Sequence, residues 1–394
     1  MTCHRFGFSA GWASDVGGPS EVGQRGVGES KAATCRSTPK PLSHGDPDVS
    51  LPRIPIHPPV DNSEMRPCGG REKSAIPPLV CSGQTAGVNL RRWLIRALLI
   101  LGGVLLLIAL AIGAGWWWLH PSIQRTGPLV YAQRKGKDLT VEFLAPANPN
   151  GIGVFVMVSG SWKSRREPTL DLILAPLLRR GYTAIPITHG SQPEFSIMEI
   201  VDDIQRGVRF ARSRAKEHGL DPDRMGVVGG SSGGHLCLML ATRGRPGPVD
   251  APDPIDRGSS AVQAVACFYP VTDLLNLGKS TENPGDGGPP KSFVRAFGAG
   301  STNREAWKVI GRDLSPLHHV SSNLPPTLIH HGDADTLVPL EQSEWFQARA
   351  KEVGRTVEIV VHPGQKHGWA TMILDIREFA DWFDRYLKPG SSSK

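Results

Sequence analysis

Two adjacent serines lie where either could act as a nucleophile. The segment Met225-Gly-Val-Val-Gly-Gly-Ser-Ser-Gly-Gly-His-Leu236 reads as strand, tight glycine turn, helix. A serine on such a turn projects its hydroxyl above the strand ends, and small neighbours allow the close approach the turn requires. Two registers of G-x-S-x-G overlap, one centred on Ser231 and one on Ser232. Ser231 fits better, because it follows the apolar Val227-Val228 at the offset of an elbow and leaves Gly233 and Gly234 to open the helix. The backbone N–H of Ser232 would then face a developing oxyanion. A serine hydroxyl attacks only when a histidine takes its proton and a carboxylate fixes that histidine's tautomer. For a serine at a strand-to-helix elbow, the acid and then the histidine are expected later in the chain. The stretch Thr327-Leu-Ile-His-His-Gly-Asp-Ala-Asp-Thr-Leu-Val-Pro339 supplies Asp333 and Asp335, and Ile359-Val-Val-His-Pro-Gly-Gln-Lys-His-Gly-Trp369 supplies His367. Asp273, just after Phe268-Tyr269-Pro270, is a further candidate acid. His235 is too close in sequence to Ser231 to face it, and reads as a packing or hydrogen-bonding residue. His330, His331 and His362 end strands, and His318 and His319 lie in a loop.

The elements that must position these residues alternate along the chain. Short β-rich runs fall at residues 129–132, 139–144, 152–159, 183–187, 225–229, 262–269, 327–331 and 356–362. Helical patterns lie between the later ones, at 170–180, 196–218, 233–242, 340–353 and 372–387. In the second of these Ile197, Ile200, Val201, Ile204 and Val208 share one face at a period of 3.6, as in a helix packed on a sheet. An initial strand pair followed by strand–helix alternation predicts a mostly parallel sheet covered on both faces. The Pro/Gly-rich piece at about 276–300 interrupts the pattern as an insertion near where a lid would sit.

The N-terminal part is different in kind. Residues 1–90 hold 12 Gly and 11 Pro without a repeat, a composition expected to be disordered because too little apolar surface can be buried. Residues 97–119 carry no charge over 23 positions, enough to cross a hydrocarbon core of about 30 Å as a helix. Arg91, Arg92 and Arg96 precede the run and Trp116, Trp117 and Trp118 close it, matching a cytoplasmic positive flank and an interfacial aromatic belt. The reading is a transmembrane anchor at 91–120, in contact with the lipid bilayer through residues 97–119, with the residues after about 120 outside the cytoplasm. A cleaved signal sequence followed by secretion is the alternative, disfavoured by the length of the run and the lack of an A-x-A site. The chain's net charge of +7 comes from residues 91–137, with 7 basic and no acidic residues, while residues 138–394 hold 28 and 29. A near-neutral folded part argues against nucleic acid as a partner. Six cysteines, four of them at 3, 35, 68 and 81, form neither a disulfide scaffold nor a zinc spacing; Cys237 and Cys267 read as small core residues.

From about residue 154 to 387 the chain resembles the α/β-hydrolase superfamily, in its esterase/lipase branch near the BD-FAE and prolyl-oligopeptidase-type hydrolases. The matching residues are Asp221-Pro222-Asp223-Arg224-Met225-Gly226, Gly229-Gly-Ser-Ser-Gly-Gly-His235, Ser315-Pro316-Leu317, Pro325-Pro326-Thr327, His331-Gly332-Asp-Ala-Asp335 through Val338-Pro339, and Pro363-Gly-Gln-Lys-His-Gly368. The resemblance implies an eight-stranded α/β-hydrolase domain at 121–394, a Ser231–Asp335–His367 triad, a small-molecule ester substrate, no metal and no organic cofactor. One departure stands out. The family's early strand usually ends in His-Gly-Gly, whereas here Val154-Phe-Val-Met-Val-Ser-Gly-Ser-Trp162 leaves Gly160 or Ser161 to complete the oxyanion hole beside Ser232. The expected activity is carboxylic-ester hydrolysis. A small-peptide peptidase and a catalytically idle binding module are the competing readings.

Overall fold

The computed structural model describes residues 89–167, 169–388 and 390. The segment expected to be disordered lies outside the described residues except for its last two, and so do Cys3, Cys35, Cys68 and Cys81.

Helix α1 (Leu90–Leu119) is 30 residues long and none of its side chains is buried. A helix apolar all round and uncovered by protein suits lipid rather than water. By length and composition it qualifies as a membrane span or as a signal sequence.

The remainder forms one sheet of eight strands among the described residues: β1 (Ile123–Arg134), β2 (Lys137–Pro146), β3 (Gly153–Met157), β4 (Thr183–Ile187), β5 (Met225–Gly230), β6 (Ala264–Phe268), β7 (Thr327–Gly332) and β8 (Val357–His362). Their spatial order is β1-β2-β4-β3-β5-β6-β7-β8. β1 and β2 pair antiparallel, β2 joins β4 antiparallel, and every pair from β4 through β8 is parallel. The central strands β3 to β7 are buried along their whole length, as their near-continuous apolar runs require of a sheet covered on both sides.

Helices supply the cover: α2 (Leu170–Ile173), α3 (Ala175–Arg179), α4 (Ile197–Ser213), α5 (Ser232–Arg243), α6 (Pro254–Arg257), α7 (Arg304–Asp313), α8 (Glu341–Glu352) and α9 (Met372–Leu387). The apolar stripe of α4 packs with α5 and α8 over one face, through Ile200, Ile204, Leu236, Leu240 and Phe346. Leu177, Leu178, Ile376, Phe379 and Phe383 of α3 and α9 cover the other. Helix α4 starts on a full capping box: Ser196 Oγ accepts from the N–H of Glu199, and the Glu199 carboxylate accepts from the N–H of Ser196.

The α/β-hydrolase architecture matches the sequence expectation, with local differences. The helix expected at 170–180 breaks at Leu174 into α2 and α3, because Pro176 in the first turn of α3 removes an N–H donor and disfavours helical geometry just before it. β1 begins six residues earlier than expected, and its register with β2 shifts between Thr126 and Leu129, on either side of Pro128. Helix α7 was not anticipated; Asn303 starts it, its side chain accepting from the N–H groups of Glu305 and Ala306. The 276–300 piece contains turns and a 3-10 helix at Lys291–Phe297, with no strand.

Candidate active site

The chain turns from β5 into α5 at Ser231, whose φ of 55° and ψ of −121° lie outside the regions a side chain ordinarily adopts. Holding a residue there costs on the order of 1–3 kcal/mol. The glycines around it are required by contact: a Cβ on Gly229 would lie 2.7 Å from the backbone of Gly233, and one on Gly233 would lie 2.8 Å from the carbonyl oxygen of Met157. The elbow is therefore pressed against the end of β3. The N–H of Ser231 is anchored to the carbonyl of Phe268 at the end of β6.

This conformation separates the two serines. Ser231 Oγ lies 2.8 Å from His367 Nε2. Ser232 is buried, with Oγ 3.2 Å from Ser159 Oγ. The same His367 ring places Nδ1 2.7 Å from Asp335 Oδ2. An aspartate that accepts at Nδ1–H leaves the Nε2 lone pair for the serine hydroxyl, the tautomer a general base needs. Asp335 is fixed in turn, its Oδ1 accepting from the N–H groups of Leu337 and Val338 at 2.9 and 3.0 Å. Burial works against its charge, but the hydrogen bonds from His331 and His367, the His367 charge and the Val338 N–H outweigh it and lower the carboxyl to about 2. It is thus an anion at any pH near neutrality.

The other candidate acids point elsewhere. Asp333 Oδ1 accepts from the N–H of Gly364 at 2.6 Å, tying the loop that carries His367 back to the end of β7. Asp273 is buried and holds its own turn, accepting from the N–H groups of Leu275 and Asn276. The ring of Tyr269 lies 4.4 Å from that of His367, packing against the imidazole from the β6 side. Sequence reading passed over Tyr269; its place directly after β6, one strand from the elbow, was the available signal.

The expected oxyanion donors lie on two segments. Ser232 is the first residue of α5, so its N–H has no partner within the helix and sits at the positive end of the helix dipole. Just beyond the end of β3 is a two-residue turn in which Gly160 and Lys163 exchange both backbone hydrogen bonds, at 3.0 and 2.8 Å. Ser161 and Trp162 at its tip have φ of 51° and 54°, a type I′ pattern normally filled by Gly or Asn. Because the Gly160 N–H is spent on Lys163, Ser161 is the better donor of the two sequence candidates.

Trp162 holds this unusual turn. Its indole N–H donates to His235 Nδ1 at 3.1 Å, and His235 Nε2 lies 2.8 Å from the carbonyl oxygen of Leu314. An indole only donates and a carbonyl only accepts, so His235 carries its proton on Nε2. Burial lowers its pKa to about 4, against the opposing pull of the Leu314 carbonyl, and keeps the ring neutral. Phe293 and Phe297 of the 276–300 piece pack edge-on against the same indole, at 5.3 and 6.0 Å. Cys237 and Cys267 are buried free thiols.

Comparison with known proteins identifies the family of the chain. Residues 143–350 match the BD-FAE family model. The chain belongs to the BD-FAE family. The matched span holds Ser231 and Asp335 and stops short of His367. Esterase LipQ of Mycobacterium tuberculosis is 28% identical over 220 residues, covering 53% of this chain and 48% of that protein. Isoprenylcysteine alpha-carbonyl methylesterase ICME of Arabidopsis thaliana is 24% identical, covering 61% and 55%. Among solved structures, a thermophilic esterase from Thermogutta terrifontis, Est2, aligns with a TM-score of 0.52 at 25% identity, covering 70% of this chain and 96% of that one. This BD-FAE chain spans about half the length of the curated relatives it matches.

Proposed function

We propose that this protein is a membrane-anchored serine hydrolase that cleaves carboxylic esters through an acyl-enzyme. The observation that carries the reading is the continuous chain Ser231 Oγ, His367 Nε2, His367 Nδ1, Asp335 Oδ2, with separations of 2.8 and 2.7 Å at its two hydrogen bonds. Ser231 Oγ attacks the ester carbonyl as its proton passes to His367 Nε2, and Asp335 holds the imidazolium that forms. The N–H groups of Ser232 and Ser161 receive the negative charge of the tetrahedral oxygen, each worth roughly 3–4 kcal/mol where such donors have been removed. His367 then gives its proton to the leaving alcohol. A water, deprotonated by the same nitrogen, releases the carboxylic acid and restores Ser231. An ester is favoured as substrate because the proteins this chain is similar to are named esterases.

The domain layout belongs to the same proposal. Residues 91–120 are the anchor, with Arg91, Arg92 and Arg96 at the cytoplasmic face, and residues 121–394 form the catalytic domain on the other side. Residues 276–300 act as a lid, a role supported by the contact of Phe293 and Phe297 with Trp162 beside the oxyanion turn. The test uses the full chain in detergent, a fluorophosphonate probe and p-nitrophenyl acetate. Ser231→Ala is expected to abolish labelling and to reduce turnover at least 10³-fold. Unchanged labelling and turnover in that variant would sink the assignment, and loss in Ser232→Ala alone would move the nucleophile by one residue.

A further inference from the structure

On the α9 side of the sheet, two histidines and an aspartate converge. His330 lies near the end of β7, His362 at the end of β8, and Asp375 in the first turn of α9, and one ligand atom from each lies within 4.8 Å of the other two. His330 Nδ1 and His362 Nε2 face each other at 3.0 Å. Two imidazoles on a tetrahedral zinc, with Zn–N of about 2.0 Å, stand roughly 3.3 Å apart, so this pair is already at ligand spacing.

The surroundings are those of a metal site. His330 is fully buried, and its Nε2 makes no hydrogen bond among the described residues, while the Glu378 carboxylate stands 3.4 Å away. A histidine that ligates through one nitrogen characteristically turns the other toward a carboxylate, which fixes its tautomer. Glu378 stands at that position for ligation through Nδ1. The Asp375 carboxylate is oriented by the indole N–H of Trp369, and the Trp369 ring lies 4.2 Å from the His362 ring at 30°. Two imidazoles and a carboxylate, with no thiolate, suit a borderline divalent cation such as Zn²⁺. His362 and Asp375 are half-buried, which leaves a route of entry.

We propose that His330, His362 and Asp375 bind a divalent transition-metal ion of the zinc type, which staples β7, β8 and α9 together beneath the loop bearing His367. Trp369 links the two sites, since it contacts Asp375 and His362 and follows His367 by two residues. The site is distinct from the ester-hydrolysing centre and stands whether or not that reading holds.

The test uses the tag-free full chain in detergent, stripped with a chelator and titrated with Zn²⁺ by calorimetry and with Co²⁺ by visible absorption. The expected result is a saturable equivalent that the His362→Ala/Asp375→Asn double variant lacks, whatever other equivalents are present. Asp375→Asn alone, nearly isosteric, should weaken that equivalent at least tenfold. Trp369→Phe, which keeps all three ligands, should weaken it by about tenfold through loss of the orienting N–H. Zn²⁺ at about 100 times its dissociation constant should raise the unfolding temperature by roughly 5 °C in the parent chain and not in the double variant. Unaltered circular dichroism confirms that the variants fold. Failure of the parent chain to bind below about 100 μM, or a titration the double variant leaves unchanged, would overturn the site.

Discussion

At the scale of single residues, the reactive arrangement depends on which of two neighbouring side chains turns inward. Ser231 reaches His367 and Ser232 does not; Asp335 reaches it and Asp333 instead holds the Gly364 N–H. Replacing Asp335 by Asn keeps the size and leaves an amide that can still accept at one atom, but it frees His367 to adopt the other tautomer. The expected fall in kcat is about 10⁴-fold with the protein folded, measured on p-nitrophenyl acetate beside circular dichroism. A loss below about tenfold would mean that Asp335 does not orient the base. The sequence reduced the nucleophile to two serines and the acid to three aspartates, because strand–turn–helix context and chain order are written in residue types. Residue types alone did not separate Asp333 from Asp335, which differ in the backbone N–H groups a short turn aims at them; the choice of Asp335 came with the family resemblance.

At the scale of elements, the Gly160–Lys163 turn proposed to hold the oxyanion is the part least visible in sequence. Gly160 and Ser161 were readable as candidates, but nothing in Ser159-Gly-Ser-Trp-Lys163 announces two left-handed non-glycine residues in succession. That conformation persists because tertiary contacts enforce it: Trp162 is pinned by His235 from α5 and enclosed by Phe293 and Phe297. The same limit explains why α7 was missed, as its asparagine cap lies in a stretch whose composition reads as loop. Trp162 and His235 are positioning residues in this arrangement. Trp162→Phe removes the N–H, leaves His235 Nδ1 buried without a donor, and loosens the tip that carries the Ser161 N–H. It should lower kcat between about 10- and 100-fold while KM for p-nitrophenyl acetate changes little. A purely structural role would instead lower the unfolding temperature and leave kcat intact.

At the scale of the whole molecule, the charge surplus and the apolar helix were legible from composition, whereas the electrostatics of the folded domain depend on burial that only the packed sheet creates. Three histidines are held neutral chiefly by burial: His189 and His235 lowered to about 4, and His330 to about 3, with the His362 charge adding to the last. In the unfolded chain each titrates near 6.5. Below that pH the unfolded chain takes up protons that the folded domain refuses, so their contribution to stability is lost as pH falls from about 6.5 toward 4 and 3. Asp203 works the other way. Burial raises it to about 6, with Asp202 and Glu199 adding and with Arg134 and the Gly190 N–H opposing, so between about 4 and 6 it stays protonated in the fold and ionises on unfolding. Asp335, lowered to about 2, releases its stabilisation only below the unfolded value near 3.9 and is silent at pH 5. At pH 5 the three histidines take up protons on unfolding and Asp203 gives one back, so the balance among these groups is uptake and their contribution to stability falls with falling pH. Urea unfolding of the full chain in detergent should therefore show a midpoint that falls steadily from pH 7 to pH 5. His235→Gln, which cannot take up a proton, should flatten that fall by about one proton's worth even though it lowers stability at pH 7. A midpoint that stays level or rises over this range in the parent chain would show that the buried histidines do not govern its acid stability.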